Sequence, residues 1–174
     1  MALTRLGANQ LINLASNVTG TLPASNGGTG ATSFLPGKVL QVVTGETTTN
    51  TQITSTSYTD TTLTANITPS ATSSKILVLV SQNVQMERST YETNTFLQLL
   101  RDSTTISIKT VGLSTGAGNS QGCRHTFAIS HLDEPSTTSA ITYKTHIKTN
   151  DSNTTSRFQE GGSRSEIVLI EIEG

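Results

Sequence analysis

The sequence predicts an all-β protein, an antiparallel sandwich or barrel preceded by an extended N-terminal arm. Three observations lead there. About 33 Thr and 21 Ser stand among the 174 residues; Thr is β-branched and suits strands, while Ser suits turns. The apolar residues gather in short runs separated by turn clusters, at intervals compatible with a sandwich. Only 33% of the chain is hydrophobic, 4% aromatic and 13% charged, against roughly half apolar and a quarter charged in an ordinary domain. The core is therefore thin, and a homo-oligomer is expected to add the missing burial. The length corresponds to one domain plus an appendage and leaves no room for a multidomain enzyme.

Residues 1–36 form the appendage. Arg5 is their only charged side chain, and Gly, Asn, Ser and Pro recur throughout. A short helix can run through Leu3, Leu6, Leu11, Ile12 and Leu14, although Gly7, Asn9 and Asn13 weaken it. Beyond it, the stretch from Val18 and Leu22 to Asn26, Gly27, Gly28 and Gly30 is turn chemistry: Asn-Gly and Gly-Gly readily supply positive φ, and Pro23 cannot enter a central strand.

Residues 37–174 form the sandwich domain. Candidate strands are 38–43, 52–56, 61–67, 75–84, 95–101, 104–111, 123–132, 140–149 and 165–173. Turn-forming clusters lie at 69–74, 101–103, 133–136, 150–153 and 160–162. The run Ile76-Leu77-Val78-Leu79-Val80 is continuously apolar, so it is expected to be central and covered on both faces, by the core and by a neighbouring subunit. The stretches around Ile106 and Ile141 alternate, as expected where one face is wet. The last run, Ile167-Val168-Leu169-Ile170, reads as a core strand whose removal unfolds the domain.

A net charge of -1 and a pI near 6.3 provide no basic footprint for nucleic acid. No apolar run approaches the roughly 18 to 20 residues that span a bilayer, so no membrane insertion is expected. The opening residues carry no signal-peptide pattern. Cys123, the single cysteine, reads as a small buried residue and rules out an intrachain disulfide framework.

The segment Val18-Thr19-Gly20-Thr21-Leu22-Pro23-Ala24-Ser25-Asn26-Gly27-Gly28-Thr29-Gly30-Ala31-Thr32 resembles a G-T-L-P-x-x-N-G-G-T-G-A-T linker that recurs in tail fibres and related receptor-binding proteins of tailed bacteriophages. The remainder, through Gly37-Lys38-Val39-Leu40, Ile67-Thr68-Pro69, Ser73-Ser74-Lys75-Ile76 and Leu99-Leu100-Arg101-Asp102, is more loosely similar to the β-sandwich heads of predicted phage virion proteins. Such heads resemble jelly-roll modules of the tumour-necrosis-factor type. The resemblance implies a homotrimer on the virion, with a jelly-roll-like knob facing the host. It also implies an arm that docks to other tail or fibre proteins through Leu3, Leu6, Leu11, Ile12, Leu14, Val18, Leu22, Asn26, Gly27, Gly28 and Gly30.

No constellation for catalysis stands out, so no enzyme, cofactor or metal is expected. His125 and His131 are an even number apart and can share a strand face, but no His-x-His pair accompanies them. Asp133 and Glu134 read as a solvated turn rather than an acid-base pair. The Gly-rich segment lacks the Gly-Lys-Ser/Thr of a phosphate-binding loop. Recognition surfaces are expected in three polar loops, 87–93, 112–122 and 150–162, with Tyr91, Arg124, Arg157 and Phe158 best suited to stack on or hydrogen-bond a host-surface glycan. A head or tail decoration protein, stabilising the particle without a receptor, is the alternative.

Overall fold

The computed structural model describes residues 38–88, 93–113 and 121–174. The expected arm with its short helix and anchoring residues lies outside this set, as does Tyr91. Ten strands follow one another: β1 (Val39–Thr47), β2 (Thr51–Ile53), β3 (Thr59–Ile67), β4 (Lys75–Arg88), β5 (Thr93–Arg101), β6 (Thr104–Leu113), β7 (Gln121–Asp133), β8 (Ile141–Thr149), β9 (Thr154–Phe158) and β10 (Ser165–Ile172), with a 3-10 turn at Glu160–Gly162.

The strands build two antiparallel sheets. One has the order β3-β8-β5-β6. In the other, β4 pairs along one edge with β7 and along its other edge with β10 and then β9, while β1 flanks β10 and β2 flanks β9. Counting β1 with β2 and β9 with β10 as two interrupted strands gives four strands per sheet. The first and last strands are then neighbours, which is the arrangement of an eight-stranded jelly roll.

β4 is central, as the continuous apolar run predicts. Ile76, Val78 and Val80 enter the core, and Leu77 and Leu79 point to the outer face, half-buried in the single chain. β8 alternates buried and half-buried positions along its whole length, and β6 is an edge. The closing run is β10, held between β1 and β4.

The interior accounts for part of the Thr content. An apolar cluster that includes Leu63, Val78, Leu97, Leu99, Ile147, Ile167 and Leu169 fills part of the space between the sheets. Hydroxyl pairs fill the rest. Thr95 of β5 meets Ser156 of β9 at 2.7 Å, Thr93 pairs with Thr154, and Thr145 of β8 donates to Gln82 Oε1 of β4 at 2.9 Å while lying 2.5 Å from Thr61. A buried hydroxyl is tolerated only when hydrogen-bonded, so these pairs set the facing of the two sheets as well as filling space.

β9 lies inside the stretch read from sequence as the loop 150–162. Its inward residues are Thr154, Ser156 and Phe158, and two hydroxyls at inward positions conceal the alternation from a hydrophobicity reading. Asp133 departs from expectation too. It is the last residue of β7 and 7% exposed, receiving two 2.9 Å hydrogen bonds from Arg101 Nη1 and one of 2.6 Å from the Tyr143 hydroxyl. It thereby ties one sheet to β5 and β8 of the other. Burial and the Asp133 carboxylate both raise the Tyr143 pKa.

At the same end Glu171 is buried and accepts hydrogen bonds from Ser70 N–H at 2.6 Å and Gln41 Nε2 at 2.6 Å. Burial alone would push its carboxyl up, but the hydrogen-bonding groups of Ser74, Gln41 and Ser70 outweigh it and hold the pKa below the ordinary value. At Gly45 β1 comes close to β3 of the other sheet: a Cβ there would fall under 3.0 Å from the Thr64 carbonyl oxygen.

Asp133→Asn leaves the Arg101 charge poorly compensated and is expected to cost about 2 to 3 kcal/mol. Calorimetry should read this as a fall in Tm of about 5 to 10 °C. Because the folded-state pKa of Glu171 is lowered, its contribution is fully present above the ordinary value of 4.5 and is lost as pH falls through the folded value. Glu171→Gln should therefore flatten the acid limb of a stability-versus-pH curve measured by urea unfolding.

Candidate functional site

The outer face of the β7-β4-β10/β9-β1/β2 sheet is divided between two chemistries. Near the start of β4, the register places Val42, Ile170, Leu77 and Leu132 in one row across four strands. Val39 and Leu40 extend this apolar patch at the edge, and Val42 and Leu132 are 55% and 50% exposed. Lys38, where the described sandwich is entered, lies at this pole; its carbonyl accepts from Glu173 N–H at 2.9 Å.

Toward the other end of β4 the corresponding row is Gln52, Arg157, Gln85 and Arg124. Arg124 Nε donates to Gln85 Oε1 at 2.8 Å, Gln85 Nε2 donates to Glu87 at 2.8 Å, and Arg157 pairs with Glu87 while its Nε donates to Gln52 at 3.1 Å. One row inward, Thr126 donates to Asn83 Oδ1 at 2.8 Å. Cationic and neutral side chains are thus held in fixed orientation across the sheet.

The interruption between β9 and β10 deepens this surface. β4 pairs Ser81 with Glu166 but Val84 with Phe158, so the opposite chain carries extra residues that must leave the sheet plane. Gln159, at φ 53, starts the excursion, and Gly161 and Gly162 continue it with positive φ. Asn83 secures the break, donating its N–H to Ser165 Oγ at 3.1 Å and its Nδ2 to the Arg164 carbonyl at 2.8 Å. The result is a depression of about 300 Å³ lined by Asn83, Gln85, Arg124, Thr126, Glu160 and Ser163, among others. Its rim offers guanidinium donors, hydroxyls and the Glu160 carboxylate, itself fixed by Asn50 Nδ2 at 2.9 Å. Such a mixture suits a hydroxyl-bearing ligand.

The structure brings Arg124 and Arg157 onto one row of the same face. Phe158 is a correction: it points inward from β9 and is fully buried, because its neighbour Arg157 takes the outward position. It is a core residue and cannot serve as a stacking platform. The strand ends flanking the three polar loops do meet at one pole, where Arg88 pairs with both Gln121 and Thr154 and Thr93 pairs with Leu113.

His125 and His131 lie on the same side of β7, six positions and about 20 Å apart at strand spacing. Among the described residues no group of three His, Cys, Asp or Glu is placed to hold a metal. Cys123 is half-buried beside the core, and burial raises its thiol pKa. Sequence reasoning missed Asn83, Gln85 and Glu160, because amides on an outward strand face resemble any wet strand until the register aligns them with Arg124.

No family model matches the chain, and no curated protein matches it. Among solved structures, the chain is similar to one in the crystal structure of the viral particle of infectious bursal disease virus. The identity is 15% and the TM-score 0.35, over 78% of this chain and 38% of that one. A chain from the Gx strain of the virus matches at 14% identity and TM-score 0.35, over 88% and 42%. One from the Gt strain matches at 18% and 0.27, over 76% and 36%. The present chain spans about two fifths of the length of these virus chains.

Gln85→Leu is expected to release Arg124 at little cost to the fold, since exposed polar pairs contribute under about 1 kcal/mol. The Tm should stay within about 4 °C, while hydrogen exchange at Arg124 Nε, followed by NMR, should accelerate.

Proposed function

We propose that the protein is a non-enzymatic structural subunit of a virion, of the tailed-phage fibre type. In this reading it is a homotrimer that attaches through residues 1–36 to other tail or fibre proteins and presents the sandwich to a host-surface glycan. The observation that carries the reading is the polarity of the sandwich. The domain is entered at Lys38, beside the uncharged row of Val42, Ile170, Leu77 and Leu132, whereas the polar depression and the three loop bases gather at the far end of β4. Eight residues of β4 separate Leu77 in the apolar row from Gln85 in the polar one, about 26 Å at strand spacing. Attachment and recognition can then operate without competing for surface.

The linker that resembles those of phage tail fibres supports the same reading, as does the jelly-roll strand order. The apolar row supports self-assembly. It crosses four strands, about 15 Å at the usual interstrand spacing, and a contiguous apolar patch on a single chain marks a contact surface. Second and third copies of this chain are its occupants in this reading, because the row itself is uncharged, Lys75 and Glu134 at its margin pair with each other at 2.8 Å, and identical patches can meet without burying unpaired charge.

Light scattering should give a mass three times the 18.3 kDa of the chain, and the double change Val42→Glu with Leu77→Glu should reduce it to one chain with an unchanged circular dichroism spectrum. Purified protein should also compete with the parent particle for adsorption to host cells, and Arg124→Gln should weaken that competition at least tenfold. Normal adsorption by particles lacking the protein, together with fragile heads, would instead support the decoration reading.

A further inference from the structure

The outer face of the second sheet carries an aromatic cluster that the sequence did not single out. Five aromatic residues lie among those described. Phe127, Tyr143 and Phe158 are buried in the core, whereas Tyr58 and Phe96 are half-buried and face outward. Lys148 stands between these two. It pairs in register with Phe96 across β8 and β5, and Thr59, beside Tyr58, pairs with Ile147. The Lys148 ammonium lies 4.9 Å from the Tyr58 ring centre and 5.3 Å from that of Phe96. The row continues to Thr110 on β6, and the next row holds Asp60, His146 and Gln98.

The chemistry of this cluster is directional. Two ring faces restrain the lysine side chain and orient its ammonium, at a gain of only about 0.5 to 1 kcal/mol each in a wet setting. Lys148 makes no ion pair with any described residue, and Asp60 in the next row lies 3.6 Å from His146 Nε2. The ammonium therefore keeps most of its capacity to bind an anion. The rings beside it supply an apolar shelf, and Thr110, Gln98 and His146 add hydrogen-bonding groups around it. A pyranose has one face of C–H groups that stacks on such a shelf and a rim of hydroxyls; an acid group on the ring completes the match to the lysine.

The geometry points to a binding site for an acidic saccharide, built from Tyr58, Phe96 and Lys148 on the outer face of the β3-β8-β5-β6 sheet. The inference deepens the glycan-binding reading and rests on it for its biological setting. It names the ligand class that the polar depression alone does not, and it places recognition on both faces near the pole to which the three loops converge. The shared chemistry is an acid-bearing sugar; the acid is a carboxylate or a phosphate.

The test is a calorimetric titration of the full chain with trigalacturonate, mannose 6-phosphate and, as the neutral control, maltotriose. Saturable binding of at least one acidic sugar is expected, with none for maltotriose. Binding of only one acidic probe identifies the acid as carboxylate or phosphate. Lys148→Gln should weaken the interaction at least tenfold, Lys148→Arg should largely retain it, and Phe96→Leu should weaken it several-fold. Each variant should keep the wild-type circular dichroism spectrum, which separates lost binding from lost folding. Equal affinity for maltotriose, or full affinity in Lys148→Gln, overturns the inference. If acidic-sugar binding survives Lys148→Gln but disappears in Arg124→Gln, the site lies in the polar depression and the glycan-binding reading stands without this one. Absence of binding to every probe also overturns the assignment, while the adsorption competition continues to test the broader reading separately.

Discussion

The structure depends on β4 having to satisfy two neighbours along one edge. Over Lys75 to Ser81 that edge pairs with β10, and over Val84 to Arg88 with β9. The chain between these partners is too long to remain in register, so it leaves the sheet as a short turn through Glu160. That single mismatch produces the depression. It also fixes Arg157 outward and Phe158 inward, and it gives Asn83 its role of bonding across the gap. An uninterrupted pairing would leave a flat sheet with no concave surface near Arg124.

A second constraint is the shortage of large apolar side chains. An interior made only of Leu, Ile and Val could tolerate several ways of sliding one sheet over the other, since hydrophobic burial is nondirectional. The pairs Thr95 with Ser156 and Thr145 with Gln82 are directional, and a slide of one residue would leave their hydroxyls buried without partners. The low hydrophobic content thus weakens burial while narrowing the permitted packing. Asp133 adds a charged tie at the opposite end through Arg101 and Tyr143.

Much of the fold is legible in the sequence because its strong signals are local. The apolar run at Ile76 places β4 at the centre, the alternation around Ile141 gives β8 one wet face, and the terminal run becomes β10. β9 is hidden because Thr154 and Ser156 occupy inward positions usually marked by aliphatic residues. The site is less legible. Arg124 is conspicuous as a charged side chain on a strand, but its partner Gln85 is 39 positions away and only pairing aligns them. Similarly, Leu97 and Leu99 indicate which way β5 faces and hence turn Phe96 outward, yet nothing local brings Tyr58 and Lys148 beside it. Phe158 illustrates the reverse error: an aromatic within a polar stretch reads as exposed until the parity of β9 turns it inward.

The central claim is that one pole of the sandwich assembles while the other recognises. The most direct measurement is an experimental structure of the full chain in its solution oligomer, by cryo-electron microscopy. Copies should pack through Val42, Ile170, Leu77 and Leu132, with the Arg124 and Lys148 surfaces open to solvent at the far end, if the proposed reading holds. An oligomer that buries Arg124 and Lys148 while leaving the apolar row in water would contradict it.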